Sequence, residues 1–197
     1  MKKIYWSALV SLSILAVYFV ALSRTGLESE VAKAPDDFKN TTYSVDGEMV
    51  TLVDGISEVQ IPDSTSKIIT RYFGNEIYKD INGDGKEDVV FLLTQETGGS
   101  GVFYYAAPAL KTEDGYVGAQ ALFLGDRIAP QTTESGPGRQ VIINYADRAY
   151  GESFDVSPSV GKSIYLLFDV EYGQFGEVVQ NFEGESADGS GTDFQVR

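Results

Sequence analysis

Short turns divide this chain so often that it has little room for helices. Asp46-Gly47, Asp54-Gly55, Asn82-Gly83, Asp84-Gly85 and Asp114-Gly115 punctuate its middle. Asp-Gly and Asn-Gly suit two-residue hairpin turns, whose central residues both take positive φ. Between the turns lie short runs rich in β-branched and aromatic residues. Residues 42–45, 49–53 and 56–60 read as a three-strand meander. Segments 67–73 and 76–79 lead into a polar loop, and 88–95 leaves it. Residues 102–110 form an aromatic-rich strand containing Pro108, which cannot donate to a ladder and so places the strand's end at an edge or bulge. A further strand spans 116–124, a Thr-, Gly- and Pro-rich connection covers 125–138, and strands return at 140–145, 162–170 and 175–180. The pattern predicts an all-β fold, mainly an antiparallel sandwich or barrel, behind an N-terminal transmembrane or signal helix.

That helix is expected at the start. Lys2 and Lys3 precede an uncharged stretch, residues 4–22, which Arg24 ends. Its length as a helix is about 28 Å, close to a bilayer core. Signal-peptide apolar regions are shorter, about 7 to 15 residues, so an uncleaved anchor is preferred; Ala21-Leu22-Ser23 leaves cleavage near Ser23 open. The positive-inside rule keeps the lysines in the cytoplasm and the remainder outside, either as a single-pass extracytoplasmic domain or, after cleavage, as a secreted one. The expected organisation is an anchor or signal over 1–23, a flexible stem over 24–40, one β-rich domain over 41–182 and a disordered acidic tail over 183–197.

Composition narrows the chemistry. Acidic residues outnumber basic ones 29 to 15, giving a formal charge of −14. A nucleic-acid partner is not expected, because its footprint is a basic patch. The 197 residues include no cysteine and no histidine. Thiolate ligands, disulfides and the commonest general base are therefore missing, and any metal bound here must favour oxygen.

Residues 80–88, Asp-Ile-Asn-Gly-Asp-Gly-Lys-Glu-Asp, supply such oxygens. Asp80, Asn82, Asp84 and Asp88 occupy positions 1, 3, 5 and 9 of a tight loop, with Gly85 at position 6. Alternate residues of a turning segment converge, and the glycine allows the bend that aims the Lys86 carbonyl inward. This set predicts a Ca²⁺ site, its shell completed by water or another segment; Mg²⁺ prefers a stricter octahedron. An EF-hand would need Glu at position 12 and flanking helices, whereas Phe91 stands there within the apolar run 89–93, which reads as a buried strand. A plain hairpin turn with solvated carboxylates is the competing reading.

The Asp-x-Asn-Gly-Asp-Gly-x-x-Asp pattern followed by Val89-Val90 resembles the calcium loop of FG-GAP and VCBS-type repeats. The resemblance implies the ion site on Asp80, Asn82, Asp84, Lys86 and Asp88. It does not imply the propeller such repeats build, since one copy is present and a propeller needs about four blades. Tyr72-Phe73-Gly74-Asn75-Glu76, Gly98-Gly99-Ser100-Gly101, Phe103-Tyr104-Tyr105, Phe123-Leu124-Gly125-Asp126-Arg127 and Asn144-Tyr145-Ala146-Asp147-Arg148 extend a wider likeness over residues 41–168. It is to a group of uncharacterised exported bacterial proteins.

Other candidates carry less. Ser64-Thr65-Ser66-Lys67 matches Ser-x-x-Lys, but the partner motifs Ser-Asp-Asn and Lys-Thr-Gly are missing. Gly98–Gly101 has no following Gly-Lys-Ser/Thr and reads as a loop. Phe103 and Tyr105 share a strand face opposite Tyr104; core packing is preferred to sugar stacking. Asp126-Arg127 and Asp147-Arg148 read as surface ion pairs rather than ion ligands. No catalytic residue is assigned. The expected function is a non-catalytic Ca²⁺-binding module outside the membrane, with an envelope protein or glycan as partner. An exported inhibitor of an envelope enzyme is the first alternative, and a carboxylate-based glycan hydrolase the second.

Overall fold

A computed structural model of the chain describes residues 36–179 and the backbone of Phe194–Gln195. The anchor or signal expected over 1–23 lies outside the described residues, as does most of the tail. Among the described residues no helix is long and apolar enough to cross a membrane. Apart from a 3-10 turn at Phe38–Asn40, every regular element described is a strand. The strands are β1 (Thr42–Val45), β2 (Glu48–Thr51), β3 (Ile56–Gln60), β4 (Lys67–Lys79), β5 (Asp88–Glu96), β6 (Phe103–Lys111), β7 (Tyr116–Gly118), β8 (Leu122–Asp126), β9 (Ala129–Ser135), β10 (Val141–Asp147), β11 (Val160–Asp169), β12 (Gln174–Val178) and β13 (Phe194–Gln195).

The strand ladders are antiparallel, as expected. One sheet runs β3-β4-β5-β6-β7, with β8 also pairing β6; a second runs β13-β12-β11-β10-β9; β1 and β2 form a separate hairpin. The central strand β5 explains the layering. Val89, Phe91 and Leu93 pack on the hairpin side with Phe38, Tyr43, Val45, Val50 and Leu52. Val90 and Leu92 pack on the opposite side against Val141, Ile143, Leu166, Phe168 and Phe175 of the second sheet. A strand covered on both faces needs no polar alternation, which is why 89–93 is continuously apolar. Phe91 is fully buried, its ring 5.1 Å from Phe38, 5.4 Å from Tyr43 and 5.6 Å from Tyr72. The Tyr43 hydroxyl donates to the Phe38 carbonyl at 2.6 Å, satisfying its one buried polar atom.

Several boundaries differ from the sequence expectation. Both early Asp-Gly turns form, with Asp46 and Asp54 at φ of 52° and 51° and their glycines also positive. The meander nevertheless splits: β3 does not pair with β2 but makes only an isolated bridge, Ile56 to Val53 of the intervening turn, and then pairs with β4. Segments 67–73 and 76–79 are one strand, bent where the register shifts around Gly74. Residues 116–124 divide into β7 and β8, and the connection over 125–138 contains β9. Pro130 is accommodated there because β9 is an edge strand, opposite a register shift at Tyr145.

Pro108 is neither at an edge nor in a bulge. It lies within β6, where the neighbouring strand passes from β8 to β7, and its carbonyl accepts from Ala119 N–H at 3.0 Å. The gap removes the need for the missing donor. Phe38 is buried in the core, so the packed domain reaches into the segment read as a stem. Phe194–Gln195, within the expected tail, pairs with β12.

Candidate functional site

The loop over residues 80–87 joins β4 to β5, whose ends pair at Lys79 and Asp88. Its one apolar residue, Ile81, is fully buried in the core beneath the second sheet and pins the loop down. Its polar side chains then turn onto its own backbone. Asp80 accepts from Gly83 N–H at 2.6 Å and from Gly85 N–H at 2.9 Å, one bond to each carboxylate oxygen. Asn82 Oδ1 accepts from Asp84 N–H at 2.9 Å, and Asp84 Oδ1 accepts from Lys86 N–H at 2.8 Å. The glycines are needed because φ is 86° at Gly83 and 85° at Gly85, a region costly for a residue with Cβ. Partial desolvation opposes ionisation of Asp80. The N–H groups of Gly83, Gly85 and Asp84, with Arg139 nearby, nevertheless hold its carboxyl below the usual range.

Asp88 has a different environment from the rest of the set. It is fully buried, and its Oδ2 accepts from Ile81 N–H at 3.0 Å while Oδ1 accepts from Lys111 N–H at 2.8 Å. One carboxylate thereby ties the start of the loop to the end of β6. Burial pushes its pKa up, against the N–H groups of Lys111, Ile81 and Asn82, which pull it down. The sequence reading placed Asp88 among the ion ligands and missed this anchoring role. It also missed Arg139, which donates to the Asn82 carbonyl at 2.9 Å and steadies the loop from the second sheet's side. A spacing motif carries no signal for a partner 57 residues away.

The donor set is chemically suited to a hard cation: carboxylates, an amide oxygen and a backbone carbonyl, on a loop already bent at two glycines. An ionised carboxylate has about four lone-pair sites, so an N–H bond to each oxygen leaves acceptor capacity. Convergence is incomplete. Among the described residues, no three acidic side chains are gathered as a metal site would gather them. The side chains of Asp80, Asn82 and Asp84 each accept from backbone N–H groups within the loop, those of Gly83 and Gly85, of Asp84 and of Lys86 respectively, and Asp88 holds the loop's start through Ile81 N–H.

The remaining candidates take structural roles. Lys67 donates to Glu58 at 2.6 Å and Ser64 Oγ accepts from Ser66 N–H at 3.0 Å, so Ser64 and Lys67 do not form a nucleophile pair. Tyr105 is buried and Phe103 packs against the same cluster, while Tyr104 packs on the other side. Asp126 and Arg127 pair at 2.8 Å. Asp147 pairs with Lys162 at 2.6 Å rather than with the Arg148 guanidinium, which donates to the carbonyls of Val156 and Arg127. Comparison of the chain with protein-family models, curated proteins and solved structures finds no match.

Proposed function

We propose that the chain is a non-catalytic, Ca²⁺-binding β domain. It is held outside the cytoplasm through residues 4–22, or secreted after cleavage near Ser23, and binds an envelope protein or glycan. The observation that carries the ion reading is Asp80. Both of its oxygens are fixed on the N–H groups of Gly83 and Gly85, which curls the loop so that positions 1, 3 and 5 lie on one bend. Asp80, Asn82, Asp84 and the Lys86 carbonyl would hold the ion, with Asp88 acting directly or by positioning Ile81. Bound Ca²⁺ would supply the positive charge that offsets repulsion among these carboxylates. It would act as a staple between β4 and β5 rather than as a reactive centre. The lack of histidine and cysteine throughout the chain supports a non-catalytic role.

Calorimetric titration of the full chain with Ca²⁺ and with Mg²⁺ tests the reading, beside Asp84→Ala. Binding of Ca²⁺ is expected, weaker in the variant. At ten times the dissociation constant the ion adds about 1.4 kcal/mol, or about 3 to 5 °C in melting temperature for a domain of this size. The variant should lose most of that increment in Ca²⁺, on top of a smaller loss in both conditions from the broken Lys86 N–H bond. Equal melting losses in Ca²⁺ and in chelator, or no heat on titration, would make Asp84 a turn former only.

A further inference from the structure

At the far end of β5 from the cation loop, the Asp46-Gly47 turn lies over an open cavity of about 400 Å³. Its lining comprises Asp46, Gln95, Thr97, Phe103, Tyr105 and Phe123. Three of these six are aromatic: Phe103 and Phe123 are accessible, and the buried Tyr105 backs Phe123. The Phe123 ring stands 6.3 Å from Phe103 and 5.5 Å from Tyr105, and Phe123 is 49% exposed. Asp46 is oriented over these rings, because the buried Tyr105 hydroxyl donates to its Oδ2 at 2.6 Å. Gln95, almost fully buried, donates to Thr70 Oγ1 at 3.1 Å and presents a fixed amide at the back. An adjoining cavity of about 350 Å³ shares Asp46 and Gln95 and adds Glu48. No lysine or arginine among the described residues lines either one.

We propose that this cavity binds an organic ammonium group, such as a trimethylammonium or the end of a lysine side chain, with its charge against Asp46 and its apolar shell against the accessible rings of Phe103 and Phe123. Aromatic faces attract cations within about 6 Å of the ring centroid. The Asp46 carboxylate keeps acceptor sites beyond the one Tyr105 uses. Neither cavity offers the cationic group that an anionic ligand would require, and the chain's net charge of −14 favours accumulation of cations. The volume is in the range of small-ligand sites, about 300 to 1,000 Å³. The inference gives a ligand class to the domain read above as a binding module and rests on that part of the reading. It does not rest on the cation loop, since seven residues of strand place Asp88 and Gln95 about 23 Å apart.

Choline and its uncharged carbon analogue, dimethylbutanol, titrated into the full chain in Ca²⁺ and in chelator, test the proposal. Choline should bind with a dissociation constant of about 1 mM or below, and the analogue roughly tenfold more weakly. Asp46→Asn removes the charge but keeps an acceptor for Tyr105, and asparagine tolerates the positive φ of 52° at this turn. It should weaken choline about tenfold, while the melting temperature falls by only a few degrees, roughly 2 to 4 °C, as the Tyr105 bond becomes a neutral one. Phe123→Ala, at a half-exposed position, should weaken it about two- to fivefold. Equal affinity for choline and the analogue, no choline binding, or binding unaltered by Asp46→Asn would overturn the proposal. A neutral sugar displacing choline equally well from Asp46→Asn and wild type would also overturn it, in favour of a sugar site. Failure with choline alongside normal Ca²⁺ binding would remove this inference and leave the cation loop standing.

Discussion

Asp88→Asn separates the two roles of the loop. The substitution keeps the shape of a fully buried side chain whose two oxygens accept from Ile81 N–H and Lys111 N–H. An asparagine can accept from one of them, but its amide nitrogen then faces the other donor. A hydrogen bond to a charged acceptor contributes about 1.5 to 3 kcal/mol, and an orphaned buried N–H costs about 1 to 3 kcal/mol. The variant also no longer buries a carboxyl whose pKa burial has raised, which offsets part of the loss. A net destabilisation of about 2 to 4 kcal/mol follows. At about 2 to 4 °C per kcal/mol this lowers the melting temperature by about 5 to 15 °C. Urea denaturation and thermal melting of the full chain, each in Ca²⁺ and in chelator, measure it. The loss should appear in both conditions. A loss below about 1 kcal/mol in chelator, with a large one in Ca²⁺, would refute the anchoring role and make Asp88 a ligand only. The pH dependence gives a second readout. Because the unfolded carboxyl releases its proton first, Asp88 makes stability fall as pH rises from the ordinary carboxylate value through the raised folded one. Asp88→Asn should abolish that slope.

Gly118→Ala should destabilise the domain by about 3 kcal/mol, read by urea denaturation, since the new Cβ would sit 2.2 Å from the Thr42 carbonyl oxygen and 2.7 Å from the Tyr43 ring. Phe91→Ala should cost about 3 to 5 kcal/mol, because its ring packs against Phe38, Tyr43 and Tyr72; circular dichroism melting checks it, and a loss near 1 kcal/mol would show that the cluster collapses to fill the space. The hydrogen bond from Arg127 holds the Asp126 carboxyl below its ordinary value despite burial, with a further bond from Val102 N–H. Its stabilisation is therefore complete above the unfolded carboxylate pKa and is lost as pH falls through the folded one. Urea midpoints measured from about pH 6 to pH 3 should decline less steeply in Asp126→Asn than in wild type.

The sequence was most readable where chemistry is local. Asp46-Gly47 and Asp54-Gly55 form the expected turns because their requirement for positive φ is written in adjacent residues. The run 89–93 is a buried strand because it lacks polar alternation. Legibility failed where a neighbour decides. Nothing near Ile56 says that β3 leaves the hairpin for β4, and Thr132 and Thr133 read as loop because Pro130 and Gly136 flank them. Pro108 looked like an edge because the gap between β7 and β8 that accommodates it is a property of their pairing, not of β6. The same division runs through the candidate site. The order of oxygen donors was visible, while the destinations of Asp88 on Lys111 and of Arg139 on Asn82 were not.

The position of β5 between two apolar clusters bears on how the domain comes apart. Neither covering layer can detach without uncovering the same strand, so partial melting brings little gain in chain freedom for a large exposure of apolar surface. Loss of either cover should therefore propagate to the other, and a protease should meet an all-or-none substrate over the packed region rather than one that frays layer by layer.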